Sequence, residues 1–394
     1  MTNRDQLMAQ GKERSWNVLQ TIAILTMIEV VLLIIVLMLT SCSSDTTPVA
    51  GAGHAAPLAI GFDASADDAP TRAANAIGAS GALASAGGFG VFACNTGLHR
   101  YGDVSVSSNF MYNQQVASTD AGLSWRYEPV KYWPNGEDDG SGATARHRVS
   151  FFAYAPYSDL SGASAASYCI SAFHLQHEQT NPWLTYRLHP DVAQQVDLLY
   201  ALPQTDRQRP DVATPVALTF RHALSCVGDK VTVDLTDALR THYHDMVTGT
   251  RTQVAVRLTA VSITYTLTER GRLVLWTADG DPNWQTISSG NATTERTVSL
   301  TDGLPHTLYS YNGSAEGGTA WQAEGHGVYY LPIEVEGHPQ TAAITVGYDV
   351  VTTIAGETSA ESRTTSGVLT LSAVSEGYQA GKNLNIDINI FSEE

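Results

Sequence analysis

Near its end the chain reads "NLNIDINIF" (383–391): Leu384, Ile386, Ile388 and Ile390 alternate strictly with Asn383, Asn385, Asp387 and Asn389. A period of two puts the four aliphatic side chains on one face of a strand and the polar ones on the other, whereas on a helix they would scatter round the axis. Such a strand needs a sheet and a core to receive it. The same signature recurs upstream. "TQVAVRLTAVSITYTL" sets Val254, Val256 and Leu258 against Gln253, Ala255 and Arg257. "FGVFAC", "DVSVSSNFMYN", "LSWRYEPVKYWP", "HRVSFFAYAPYS", "TPVALTFRHALS", "DKVTVDLT", "RLVLWTA", "GVYYLPIEVEG", "AAITVGYDVVTTI" and "SGVLTLSAVS" are short runs rich in β-branched and aromatic residues, separated by Gly, Pro, Asn and Asp. Helical signal is confined to "HPDVAQQVDLLYA" (189–201) and "DLTDALRTHY". The expectation is an all-β chain of two β-sandwiches in series, joined at the charged, Pro-containing connector "PQTDRQRPDV".

A different pattern precedes this one. Residues 21–38, "TIAILTMIEVVLLIIVLM", are apolar except for Glu29 and follow a segment carrying Arg4, Lys12 and Arg14. The run is about the ~20 residues a bilayer requires, and its basic flank fits a secretory signal. It ends in Leu39-Thr40-Ser41-Cys42, which looks like the lipobox of bacterial lipoproteins, in which the cysteine is acylated and becomes the mature N-terminus. The other reading is a plain anchor helix that ends at Cys42. Either way the remainder is exported and tethered to a membrane, the lipid-anchored form at the outer membrane.

The 394-residue chain has a formal net charge of −17. Loss of residues 1–41 removes three basic side chains (Arg4, Lys12, Arg14) and three acidic ones (Asp5, Glu13, Glu29), so the charge is unchanged. That acidity excludes nucleic acid as a partner, since phosphate binding needs a basic footprint. Beyond Cys42 there are Cys94, Cys169 and Cys226, too few and too scattered for a disulfide framework or a metal site. At most one bridge is possible among them.

No catalytic constellation, cofactor motif or metal site emerges. His174, His177 and Glu178 form H-x-x-H-E, with the glutamate outside the histidine pair, unlike the zinc-protease pattern. His242, His244 and Asp245 ("HYHD") have the spacing to ligate a metal from a strand, but a structural or solvent-facing role is the expected one. Asp279-Gly280-Asp281 and Glu137-Asp138-Asp139 lack the full oxygen set of a calcium loop and read as turns. The tryptophans and tyrosines suit sheet faces and cores as well as a sugar platform.

Residues 43–90 are dominated by Ala, Gly, Ser and Asp and read as linker or loosely held strand. The apolar island "PLAIGFDA" (57–64), with Leu58, Ile60 and Phe62, stands out from them, followed by "DDAPTRAAN" with Arg72.

In combination, "NFMYNQQV", "STDAGLSWRYEPVKYWP", "HRVSFFAYAPYS", "VDLLYA" and "VALTFRHALSCV" resemble the fimbrillin family of Bacteroidota, the type V pilins and their accessory subunits. The resemblance runs from about Phe89 to about Gly381. It implies two tandem transthyretin-like β-sandwiches and a non-enzymatic fimbrial subunit exported as a lipoprotein. The layout it implies is a signal peptide (1–41), a lipidated linker with a removable first strand (42–86), an N-terminal sandwich (87–208) and a C-terminal sandwich with a terminal strand (209–394). It also implies assembly by strand exchange: an arginine-specific protease frees an N-terminal strand, and a strand of another subunit, in a homo- or hetero-polymer, fills the groove. Carried over, Cys42 takes the lipid, Arg72 is the processing site, and Leu58, Ile60 and Phe62 plug the groove. Arg100 is a second possible cut, and Arg72 has an ordinary linker reading. Leu384, Ile386, Ile388 and Ile390 are either the donor strand or a fixed closing strand, the latter suiting a tip subunit that accepts without donating. A monomeric, lipid-anchored adhesin or glycan-binding module is the alternative function. The receptor is not legible in the sequence.

Overall fold

The computed structural model describes residues 56–66, 77–138, 144–160, 167–287, 293–374 and 377–391. Cys42, Arg72 and the apolar run 21–38 lie outside them. Among the described residues no helix is long and apolar enough to cross a membrane.

The fold is all-β. Its strands, leaving aside two-residue pairings, are β1 (Phe62–Ala66), β2 (Phe89–Gly97), β3 (Met111–Val116), β4 (Arg148–Ala155), β5 (Cys169–Phe173), β6 (Trp183–Arg187), β7 (Leu199–Ala201), β8 (Gln204–Gln208), β9 (Val216–His222) and β10 (Ser225–Leu235). They continue with β11 (Arg251–Thr268), β12 (Arg270–Val274), β13 (Asn283–Thr286), β14 (Thr293–Leu300), β15 (His306–Tyr311), β16 (Trp321–Glu324), β17 (Val328–Tyr330), β18 (Thr341–Ile354), β19 (Glu357–Thr370) and β20 (Asn383–Ile390). Among the described residues two α-helices interrupt them, α1 (Ser80–Ser85) and α2 (Asp237–Asp245).

The first sheet runs β1-β9-β7-β4-β2-β3, with β8 also on β4. Its central strand β4 is buried along almost its whole length, which is why "VSFFAYA" is apolar without alternation. One face meets the sheet β13-β12-β6-β5, where Phe92 and Tyr154 contact Phe173 at ring distances of 5.5 and 5.1 Å. The other face carries Phe89, Phe151 and Phe220, covered by α1, Trp125, Trp133 and the incoming β1 segment. The remaining two sheets, β16-β10-β17 with β20 on β10, and β15-β11-β18-β19 with β14 on β11, enclose Cys226, Val231, Tyr265, Val346 and Ile386.

Sheet membership does not follow the expected division at residue 208. β9 lies beyond that point yet hydrogen-bonds inside the first sheet, and β5–β6 share a sheet with β12–β13. The reason is geometric: only Ala223 and Leu224 separate β9 from β10, so residues 216–235 form one spine running through both halves.

Several local expectations are corrected. The stretch 189–201 holds a single 3₁₀ turn, Val192–Gln194, capped by Asp191, before it becomes β7. "LSWRYEPVKYWP" is an irregular segment that buries Trp125 and Trp133 without forming a regular strand. "HYHD" lies on α2, not on a strand. Gly228 explains a register slip between β10 and β20: it sits at φ +76°, and a Cβ there would meet the Tyr265 hydroxyl at 2.2 Å.

Candidate functional site

The island "PLAIGFDA" enters the first sheet by changing partners at Gly61. Before it, Trp133 N donates to Leu58 O at 2.9 Å and Ile60 N donates to Lys131 O at 2.9 Å, with Ala59 bridging Tyr132 antiparallel. After it, Val216 N donates to Gly61 O at 2.8 Å and β1 runs parallel to β9, in the register Phe62↔Val216 to Ala66↔Phe220. β1 is an edge strand, with β9 its one neighbour in the sheet.

Its inward side chains alternate as the sequence pattern requires. Ile60, Phe62 and Ala64 are 2%, 5% and 5% exposed, and Leu58 is half-buried. The Phe62 ring lies edge-on to Phe89 and Phe151 at 6.3 and 5.8 Å, and is tilted on Tyr127 at 5.5 Å. Tyr127 is itself tied to the segment, its hydroxyl donating to Ile60 O at 2.8 Å, and burial raises its pKa above the ordinary phenol value. Beside this contact is a hollow of about 520 Å³ lined by Ala59, Ile60, residues 125–128 and Val130. The indole N–H groups of Trp125 and Trp133 are buried and find no acceptor among the described residues. The tryptophans of "SWRYEPVKYWP" are therefore the wall against which the β1 segment closes.

The terminal strand is seated differently. β20 runs parallel to β10, with Leu384, Ile386 and Ile390 buried and Ile388 half-buried. Gly381 N donates to Leu224 O at 2.9 Å, Cys226 N to Lys382 O at 2.8 Å and Thr236 N to Ile390 O at 3.1 Å, and Asn383 Nδ2 reaches Asp229 at 3.2 Å. The bonding groups of Val216, Leu224 and Cys226 that meet β1 and the β20 segment are all on even-numbered residues, while Thr219 O and Ala223 N bond Leu202 and Leu198 on the opposite side. β1 and β20 thus lie head to tail along one edge of the spine.

The histidines are structural or exposed. His174 is buried against Phe92 with Nε2 2.8 Å from Ser108 Oγ, and His177 is exposed. His244 stacks on Tyr311. Among the described residues no three His, Cys, Asp or Glu side chains converge to hold a metal. Cys94, Cys169 and Cys226 are free thiols, and burial pushes Cys94 up to about 12. Arg100 is exposed next to β2.

The sequence matches the fimbrillin-like family over residues 71–358, most of its length. The chain belongs to the fimbrillin-like family. A fimbrial protein from Bacteroides vulgatus is similar to this fimbrillin-like chain, with a TM-score of 0.57 at 20% identity, over 84% of this chain and 95% of that one. A protein from Bacteroides uniformis named for cell adhesion aligns over 86% of this chain and 93% of its own at 16% identity, with a TM-score of 0.39. No curated protein matches the sequence. The first likeness establishes the shared fold, and family membership makes this a fimbrial or adhesin subunit of the cell surface.

Proposed function

We propose that the chain is a structural, non-enzymatic subunit of a fimbria, exported as a lipoprotein through Cys42 and assembled by strand exchange. The observation that carries this reading is the seat of β1: an edge strand whose Ile60, Phe62 and Ala64 fill a cleft in the first sheet. It is joined to the body at Ile77 through residues 67–76, which include Arg72. A cut after Arg72 by an arginine-specific protease would leave β1 held only by non-covalent contacts. Burial of Ile60 and Phe62 is worth about 1.5–3 kcal/mol each. The ordering of an incoming strand offsets part of a similar gain. Exchange is then a competition between strands of comparable fit. The released piece also carries the lipid on Cys42, so one cut would both open the groove and free the subunit from the outer membrane.

The seat of β20 favours a particular role. Leu384, Ile386 and Ile390 are built into the chain's own sheet, which supports a subunit that accepts a strand rather than donates this one, as a tip subunit does.

The test is to treat the lipid-free precursor, Ser43 onward, with an arginine-specific protease and to follow intact mass and unheated gel electrophoresis. A cut after Arg72 with release of the Leu58–Ala66 segment is expected, with multimers forming only when another subunit is added. A ladder from this chain alone would make β20 the donor. Absence of a cut near Arg72 would remove the strand-exchange reading and leave a lipid-anchored monomeric adhesin.

A further inference from the structure

The groove under β1 is not a uniform apolar slot. Three successive inward positions differ in size: a mid-sized one at Ile60, a large one at Phe62 between Phe89, Tyr127 and Phe151, and a small one at Ala64. Ala64 is 5% exposed with nothing larger than a methyl, paired with Leu218 on one side. Helix α1 packs against β1, and its Leu83 is fully buried in the same core. In so enclosed a position a larger side chain would have to displace its neighbours.

The groove also has a closed end. A strand that continued past Ala66 along β9 would run towards the positions opposite Leu224 and Cys226, and these are occupied by Gly381 and Lys382. The parallel pairing covers the five residues Val216–Phe220, and Gly381 already lies against His222.

The chain's own terminal strand does not fit this cleft. Every register of Leu384, Ile386, Ile388 and Ile390 leaves the large pocket without a ring, and those that bring one of the four opposite Leu218 put a branched side chain in the small one. We propose that the occupant is a strand of a different subunit, running parallel to β9, that carries a mid-sized aliphatic residue, an aromatic two residues later and Ala or Gly two after that. It turns away from the sheet within about two residues of the small one. This rests on the strand-exchange reading and adds to it the partner: the contact is between unlike chains, selected by side-chain size.

The test uses chain cut after Arg72 and separated from its leaving strand, with fluorescent peptides read by anisotropy. The peptide Pro57–Ala66 is expected to bind. The same peptide with Phe62→Ala is expected to be about 100-fold weaker or worse, with Ala64→Ile at least about tenfold weaker, and the Asn383–Phe391 peptide without measurable binding. Equal binding of the parent and the Ala64→Ile or Asn383–Phe391 peptides would overturn the size rule while leaving strand exchange intact. Failure of the parent peptide to bind would overturn both. As a check that needs no vacant groove, Ala64→Ile in the uncut chain should speed hydrogen exchange at Phe62–Ala66 by at least about tenfold. Unchanged exchange there would also overturn the size rule.

Discussion

Phe62 contributes the largest side chain that β1 buries, and its three aromatic neighbours come from β2, β4 and the 125–133 segment, so one ring joins elements distant in sequence. Phe62→Ala should cost about 3 kcal/mol, the lower end for a buried ring because the strand is at an edge. Hydrogen exchange should accelerate at Asp63–Ala66 while central β4 keeps its protection; equal acceleration in both would mean that β1 is not a separable unit. The β18–β19 turn gives a prediction of opposite sign. Ala355 and Gly356 have φ of 50° and 90°, the conformation in which Asn-Gly is favoured and Ala is not. Ala355→Asn should stabilise the chain by about 1 kcal/mol, read as a rise in denaturant midpoint. Asp120 gives the pH dependence. Hydrogen bonds from Ser124 and Ser118 lower its pKa to about 2. Its folded-state pKa is depressed, so its contribution is present above about pH 4. It is lost as pH falls from there through about 2. Amide protection at Ser124 should follow that window, and Asp120→Asn should remove the dependence.

At the scale of elements, the parts that could be read in advance were those whose burial pattern has a period. β20 alternates because one of its faces meets a core, and the β1 segment was visible as an apolar island in a run of small residues. β19 was largely missed. Glu357–Ser362 is exposed on both faces of an edge strand, so its run of Glu, Thr, Ser and Ala carries no periodic signal. Helix α1, "SGALAS", reads as linker in the sequence because its sole large apolar residue is Leu83. The groove's size pattern was illegible for a different reason. Ala64 belongs to the quoted island, but an alanine is significant only once its neighbours are known to close round it. β20, for its part, is seated beside β10 in the chain's own sheet. Ile386→Asp should place a charge against Val231 and Tyr265 and cost several kcal/mol. The loss should be a cooperative shift in the unfolding of the β10–β11–β18 region. Selective release of residues 383–391 with the rest intact would instead mark β20 as a detachable strand.

For the whole molecule, the charge of −17 keeps copies apart in solution, and the proposed strand exchange would have to overcome that repulsion locally, through backbone pairing and fitted side chains. Arg72→Gln in the intact precursor should block both lipid release and multimer formation with a partner subunit, measured by membrane fractionation and unheated gels; multimers at the wild-type level would place the cut elsewhere. The spine 216–235 has a further consequence. A strand seated beside β9 and the chain's own β20 beside β10 lie along the same line and point the same way. Tension applied through a strand seated beside β9 would pull it lengthwise past the spine, so its hydrogen bonds would share the load at once. They would not be peeled apart one after another from an end. A filament joined in this way would resist stretching far better than bending, and its weakest link under pull would be the five-residue pairing beside β9.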